Sequence, residues 1–432
     1  VYNTLSHGTW IKQKTEEVEQ KIAPVIRRIE KRVDVHQWRV LDAFRRHGVS
    51  DFHLHSSTGY GYDDLGRETL ERIFADLFGA EAALVRPNII SGTHAIAACL
   101  YGVLRPGDEL VYLTGRPYDT LHKVIGTGRD GSGSLADYGI SYREIPLLSD
   151  GEVDWEAFQA VLSEKTRMVG IQRSRGYADR PSFTVGRIKE MVKRIRSLCS
   201  DLVIFVDNCY GEFVEEEEPT HTGADLVAGS LIKNPGGGLA KSGGYIAGKK
   251  EWVERAASRL VAPGIGVEGG ATHGYLRDYY QGLFLAPHVV GEALKGAVFA
   301  SAMLEELGFA TTPLWHEPRT DIIQQIRLGD PDLLVAFCQG IQAASPVDAH
   351  IAPVPAPMPG YEDPVIMAAG TFVQGASIEL SADGPLRPPY IAYMQGGLTF
   401  SHVKIGIMLA LDHMMKTGRL PAVKSRESFG SS

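Results

Sequence analysis

Cysteine is scarce in this sequence: 432 residues hold four thiols, Cys99, Cys199, Cys209 and Cys338, all far apart. No pair has the spacing of a metal knuckle, and the simplest expectation is a reducing compartment. Long apolar runs are also lacking. About 18 apolar residues never follow one another, and the N-terminal stretch, with Lys12, Lys14, Glu16, Glu17 and Glu19, carries no apolar signal core. A soluble, cytoplasmic chain that does not engage membranes is therefore expected. Basic charge is not in excess either. The formal net charge of -8 argues against a general nucleic-acid binder. His53, His55 and the other histidines form no recognisable metal set, so no metal is expected. The glycine run at 236–242 suggests a nucleotide phosphate loop, but Ala240 and Pro235 stand where that loop needs glycine.

What is present is an ordinary globular composition, 44% apolar and 22% charged, in a chain long enough for two domains. Apolar residues at helical spacing, Val18, Ile22, Val25, Ile26 and Ile29, predict a helical arm within residues 1–50. Over 51–290 short apolar runs alternate with amphipathic helices. Strands are expected at 82–85, 109–113, 168–171 and 202–206, and helices after Ser91, at 155–162 and at 185–198. This alternation predicts an α/β domain with a mostly parallel central sheet, in which ligands gather at the carboxyl ends of the strands. Residues 291–432 read as a smaller α+β domain, with strands at 322–326, near Ile366 and at 377–380. A proline-rich turn at 353–359, a last helix at 402–416 and a loose polar tail at 425–432 complete it.

Two residues at strand ends carry the chemistry. Asp207 follows five apolar residues, where a carboxylate needs a cation or several donors to stay ionised. Lys233 closes a later stretch, Gly229-Ser230-Leu231-Ile232-Lys233-Asn234. An amine and an acid so placed are what pyridoxal phosphate chemistry requires, the amine for covalent attachment and the acid to keep the pyridine nitrogen protonated. For Asp207 alone, a salt bridge or helix cap is the plainer reading. Ser91, Gly92 and Thr93 open a helix, where amides and hydroxyls either hold a phosphate or simply cap the helix. Tyr118, at a turn after the next strand, either lies over a flat ring or packs half-buried. Gln172, Arg173 and Arg175 end another strand, where cofactor or substrate contact and salt bridging are equally open. Acidic residues 215–218 read as a solvated turn, and the glycine-rich 126–133 as a mobile surface loop.

Taken together, these residues resemble the fold-type I pyridoxal phosphate enzymes over nearly the whole chain. Among them the chain is most similar to the methionine gamma-lyase-like or aluminium-resistance family, relatives of cystathionine beta-lyase. The motifs are Ser230-Leu-Ile-Lys233-Asn-Pro-Gly-Gly-Gly, Val206-Asp207-Asn-Cys-Tyr-Gly-Glu and Pro385-Leu-Arg387-Pro-Pro-Tyr-Ile-Ala-Tyr-Met-Gln-Gly-Gly. The resemblance implies an aspartate aminotransferase-like fold with pyridoxal 5'-phosphate as cofactor. Lys233 would be the Schiff-base lysine and base, Asp207 the ring-nitrogen partner, and Tyr118 the stacking ring and proton carrier for the leaving sulfur. Ser91, Gly92, Thr93 and Ser230 would hold phosphate, and Arg387 would clamp the carboxylate of an amino-acid substrate. Tyr60 and Tyr62 would come from a neighbouring subunit, implying a homodimer or homotetramer with shared sites.

Two departures from the commoner lyases stand out. Ile232 replaces a hydroxyl residue before the lysine, and no arginine stands near Tyr62, so Arg67 or another group would complete the phosphate cup. The implied activity is β- or γ-elimination from a sulfur-containing amino acid, giving keto acid, ammonia and thiol. An aminotransferase or γ-replacement enzyme on the same scaffold is the nearest alternative, and a non-catalytic regulator a further one. Burial beside the cofactor's charges is expected to keep a freed Lys233 neutral.

Overall fold

In a computed structural model of the chain, residues 2–127, 131, 133–358 and 363–420 are described. The chain divides into two compact units, Arg32–Val290 and a second formed by Val1–Lys31 with Gly291–Ser432. The arm expected over residues 1–50 is one helix for most of its length, α1 (Gly8–Arg46), and its residues are shared between the two units.

The larger unit runs through α2 (Leu65–Phe78), β1 (Ala82–Arg86), α3 (Gly92–Val103), β2 (Glu109–Tyr112), α4 (Asp119–Ile125) and β3 (Ser141–Glu144). It continues with α5 (Trp155–Val161), β4 (Thr166–Gln172), α6 (Val185–Leu198), β5 (Val203–Asp207), β6 (Leu226–Ser230), β7 (Gly244–Gly248) and α7 (Lys250–Leu260). Its strands form one sheet in the order β1-β7-β6-β5-β4-β2-β3. Strands β3, β2, β4, β5 and β6 are mutually parallel, as the alternation of short apolar runs and amphipathic helices predicts. Strand β7 runs antiparallel to both β6 and β1. The reason is local: the link from Ser230 to Gly244 holds no crossover α-helix, which a parallel return normally uses. The central strands are buried along almost their whole length, whereas β3 is a charged, exposed edge that hydropathy alone did not reveal.

After α8 (Leu276–Glu306) the smaller unit adds β8 (Ala310–Thr312), β9 (Gln324–Arg327), α9 (Pro331–Ala343), β10 (Val365–Ala368), β11 (Ser381–Pro385), β12 (Ile391–Gln395) and α10 (Phe400–Lys416). Its sheet, β10-β11-β12-β9-β8, is antiparallel throughout. Its core gathers Ile11, Val18 and Ile22 with Phe337, Ile341, Ile407 and Leu411. The strand expected at 377–380 is a turn, and β11 begins one residue later. There the Glu379 carboxylate accepts the amides of Phe372 and Val373, each at 2.9 Å, and so competes with a strand ladder.

Helix α8 is long and apolar enough to cross a membrane by length and composition, although 72% of its most apolar stretch is buried within the protein. All four cysteines are free, with Cys99, Cys209 and Cys338 buried. Parts of the 126–133 loop and the end of the 353–359 turn lie outside the described residues, as does the tail at 425–432.

Candidate active site

Strands β5 and β6 are parallel neighbours, so Asp207, the last residue of one, and Ser230, the last of the other, share the carboxyl edge of the sheet. Lys233 follows three residues later. Asp207 is buried, its carboxylate accepting the Cys209 amide at 3.2 Å and bonding the Cys209 thiol. Burial pushes its pKa up, and the nearby Lys233 charge opposes that push. Lys233 is half-buried, with its Nζ 4.0 Å from the ring centroid of Tyr210.

The side chains around Lys233 work against the neutral amine expected beside the cofactor. Burial does pull the ammonium down, but Cys209, Tyr210, Asp207 and Glu212 outweigh it and hold the group well above the ordinary lysine range. A buried amine follows its neighbours' charge once several acidic groups surround it.

The turn after β5 is built to present these groups. Tyr210 and Phe213 take positive φ, 74° and 62°, a conformation uncommon for residues with side chains. Gly211 is required between them because a Cβ there would lie 2.5 Å from the Arg173 guanidinium. Asn234, adjacent to Lys233, ties the turn down by donating from Nδ2 to the carbonyls of Tyr210 at 3.0 Å and Glu212 at 2.9 Å.

Beneath the turn, Arg173 has no exposed surface. Its Nη1 donates to Asn208 at 2.8 Å and Glu218 at 3.1 Å, and its Nη2 to Glu215 at 2.9 Å. The reading of 215–218 as a solvated turn is therefore corrected for Glu215 and Glu218, which serve as counter-charges for a buried guanidinium. Of the two readings left open for Arg173, salt bridging is the one observed. Gln172 donates to the Ser174 carbonyl at 2.9 Å, and the Arg175 amide donates to Ser182 Oγ at 3.2 Å.

Ser91 caps α3, its Oγ accepting the His94 amide at 3.0 Å. Gly92 brings the helix N-terminus against the strand ends: a Cβ there would lie 3.2 Å from Cys209 Sγ and 3.5 Å from Ser230 Cβ. Thr93 Oγ1 lies 2.8 Å from Thr120 Oγ1. Tyr118 precedes α4, its ring 6.2 Å from that of Tyr177, and Gly176, with φ of 58°, leaves room beside it.

Tyr60 and Tyr62 are stacked at 5.5 Å and stand 76% and 50% exposed. Their loop is nevertheless fixed. Buried Arg67 donates to the carbonyls of Gly61 at 2.6 Å, Gly270 at 2.7 Å and Glu268 at 3.1 Å. Arg67 thus fastens the loop to residues 268–270 through Nη1 and Nη2. Arg387 belongs to the smaller unit, where its half-exposed guanidinium pairs with Asp363 at 3.1 Å.

Tyr210, Glu212, Asn208 and Asn234 are the site residues that strand-end reasoning missed. Their signal was their position within one to five residues of Asp207 and Lys233. Among the described residues, no group of three or more His, Cys, Asp or Glu side chains is arranged to hold a metal.

A sheet with this strand order and an acid and an amine at the carboxyl ends of adjacent strands defines the fold-type I class of pyridoxal phosphate-dependent enzymes. The pyridoxal phosphate-dependent protein YhfS of Escherichia coli shares the fold at a TM-score of 0.59 and 16% identity, over 90% of this chain and 97% of that one. Within that class the chain belongs to the methionine gamma-lyase family, which it matches over residues 11–415. It is 58% identical to YnbB of Bacillus subtilis over 417 residues, 96% of this chain and 99% of that one. It is also similar to a Listeria monocytogenes structure described as a candidate cystathionine beta-lyase involved in aluminium resistance. That likeness has a TM-score of 0.92 and 56% identity, over 93% of this chain and 100% of that one.

Proposed function

We propose that this chain is a pyridoxal phosphate-dependent carbon–sulfur lyase, eliminating a thiol from the β- or γ-carbon of a sulfur-containing amino acid and releasing keto acid and ammonia. The observation that carries the reading is the buried Asp207 carboxyl beside the Lys233 amine at the ends of β5 and β6, in a chain of this family. The residues suit the cofactor. Asp207 is a buried acid in need of a cationic donor, and the helix N-terminus at Gly92 faces the strand ends without a side chain in the way.

When bound, the cofactor supplies an electron sink for the pair left behind as a bond at the substrate α-carbon breaks. Lys233 would hold the cofactor covalently and, once freed, would take the substrate α-proton; for γ-elimination it would also move a proton from Cβ. Asp207 would keep a proton on the ring nitrogen. Tyr118 would stack on the ring and would give a proton to the leaving sulfur. Ser91, Gly92, Thr93 and Ser230 would hold the phosphate, joined by Tyr60 and Tyr62 of a second copy, while Arg387 would take the substrate carboxylate. Exposed aromatic rings on a loop pinned by Arg67 support a shared site in a homodimer or homotetramer.

The test combines a variant with a substrate panel. Native protein should release keto acid and thiol from methionine, cystathionine or cysteine and carry a borohydride-fixed adduct on Lys233, whereas Lys233→Ala should lose both. Retention of adduct and turnover by Lys233→Ala would remove the assignment. Amino transfer to an added keto acid without thiol release would favour the aminotransferase alternative.

A further inference from the structure

Strand β1 runs antiparallel to β7, and β7 antiparallel to β6, so β1 points the same way as the parallel strands. Helices α3 and α4 follow β1 and β2, and both therefore begin at the sheet edge that carries Asp207 and Ser230. The second residues of the two helices meet there: Thr93 Oγ1 lies 2.8 Å from Thr120 Oγ1. Both threonines are half-buried, and among the described residues neither hydroxyl has another hydrogen-bond partner.

A hydroxyl has one proton to give and two lone pairs with which to accept. Within the pair one proton lies between the two oxygens, and the other remains available. Thr93 is the member beside the sheet centre, because it follows Gly92, whose missing side chain brings the end of α3 against Cys209 and Ser230. Ile232, directly before Lys233, has no side-chain donor, so hydroxyls at this edge must come from residues such as Ser91, Thr93 and Ser230.

We propose that Thr120 is a positioning residue for the cofactor phosphate: it donates to Thr93 and so leaves the single Thr93 proton for the phosphate. The proposal rests on the reading of the site given above. A phosphate dianion accepts and does not donate, so Thr93 must give it a proton and can then only accept from Thr120. Two gains follow. The Thr93 hydroxyl is oriented before the anion arrives, and a hydroxyl that already accepts a bond is a stronger donor. A bond that merely packs α3 on α4 would make no distinction between the phosphate and the rest of the cofactor.

That distinction is measurable. The purified full chain is stripped of cofactor with hydroxylamine, dialysed, and titrated by absorbance with pyridoxal 5'-phosphate and, separately, with pyridoxal, which has the ring and the aldehyde but no phosphate. Thr120→Val keeps the side-chain shape and removes the hydroxyl. It should weaken pyridoxal phosphate about ten-fold, the scale of one hydrogen bond to a charged group, and leave pyridoxal within about two-fold. Thr120→Ser should restore the native affinity. In a Thr93→Val background Thr120→Val should add nothing, since both residues act through one proton.

Native affinity for pyridoxal phosphate in Thr120→Val would overturn the proposal. An equal loss for pyridoxal would do the same, since it reports a loosened fold. Losses that multiply in the double variant would also overturn it, because Thr120 would then hold the phosphate by itself. If Thr93→Val does not fold, Thr120→Val against Thr120→Ser, each read with both ligands, decides alone. A native chain that takes up neither ligand sinks the reading of the site and this proposal with it, whereas a native chain that binds both and is unmoved by Thr120→Val sinks only the role of Thr120.

Discussion

Arg173 of the larger unit and Arg387 of the smaller one each stand just past the end of a buried strand, and each is a candidate to hold an anion. Their surroundings are opposite. Arg173 is sealed off and bonded to Asn208, Glu215 and Glu218, and Gly211 gives it the room to pass. Arg387 is half exposed and pairs with Asp363. Exchanging a surface partner for another carboxylate costs little, because an exposed pair contributes only about 0–1 kcal/mol. Opening a buried pair strands a charge, at about 3–5 kcal/mol. Arg173 is therefore fixed in place by its buried partners, whereas the partner of Arg387 is exchangeable.

The most direct way to break this contrast is Arg173→Ala. It leaves the buried Glu218 and the partly buried Glu215 without this cation, and urea unfolding should show a loss of about 3–5 kcal/mol. A loss no larger than that of Arg387→Ala would erase the distinction.

His36 extends the contrast to pH. Its ring meets Phe213 edge-on at 5.7 Å, and burial, helped by Arg39, pushes its pKa down to about 4. Unfolded histidine gains its proton near 6.5, so stability present above pH 6.5 is lost as pH falls toward 4, reaching about 3 kcal/mol in full. His36→Phe should flatten that acid slope. An unchanged slope between pH 6.5 and 4 would show that other groups set it.

The smallest structural effects belong to the exposed pair. Arg387→Ala should leave stability within about 0.5 kcal/mol while raising KM about ten-fold or more, and Asp363→Asn should leave KM unchanged or slightly lower. An unaltered KM in Arg387→Ala would move the carboxylate clamp elsewhere.

Much of the fold was legible before any coordinates. Apolar runs such as Val203–Asp207 and the helical periodicity of Val185–Leu198 are local properties, and their alternation forces crossovers and hence parallel strands. Strand β7 escaped because its antiparallel direction follows from a link without a helix. The false strand at 377–380 failed because Glu379 found backbone donors in its own turn. In the site, Asp207 and Lys233 were legible because a charge ending an apolar run is a local anomaly. Glu212 was not, since it resembles any glutamate in a polar turn until Tyr245 and Gly229 are seen to enclose it.

The sequence by itself determined the order of elements, the two chemical residues at the sheet edge and the family they point to, because each follows from neighbours along the chain. Only the tertiary structure decided which charges are sealed, which are exchangeable and which surround the Lys233 amine. Burial and pairing are set by residues some 20 to 45 positions apart, as Arg173 is from Glu218 and Lys233 from Glu212. The protonation of a buried group depends on that assembled surrounding and on nothing that one stretch of chain carries alone.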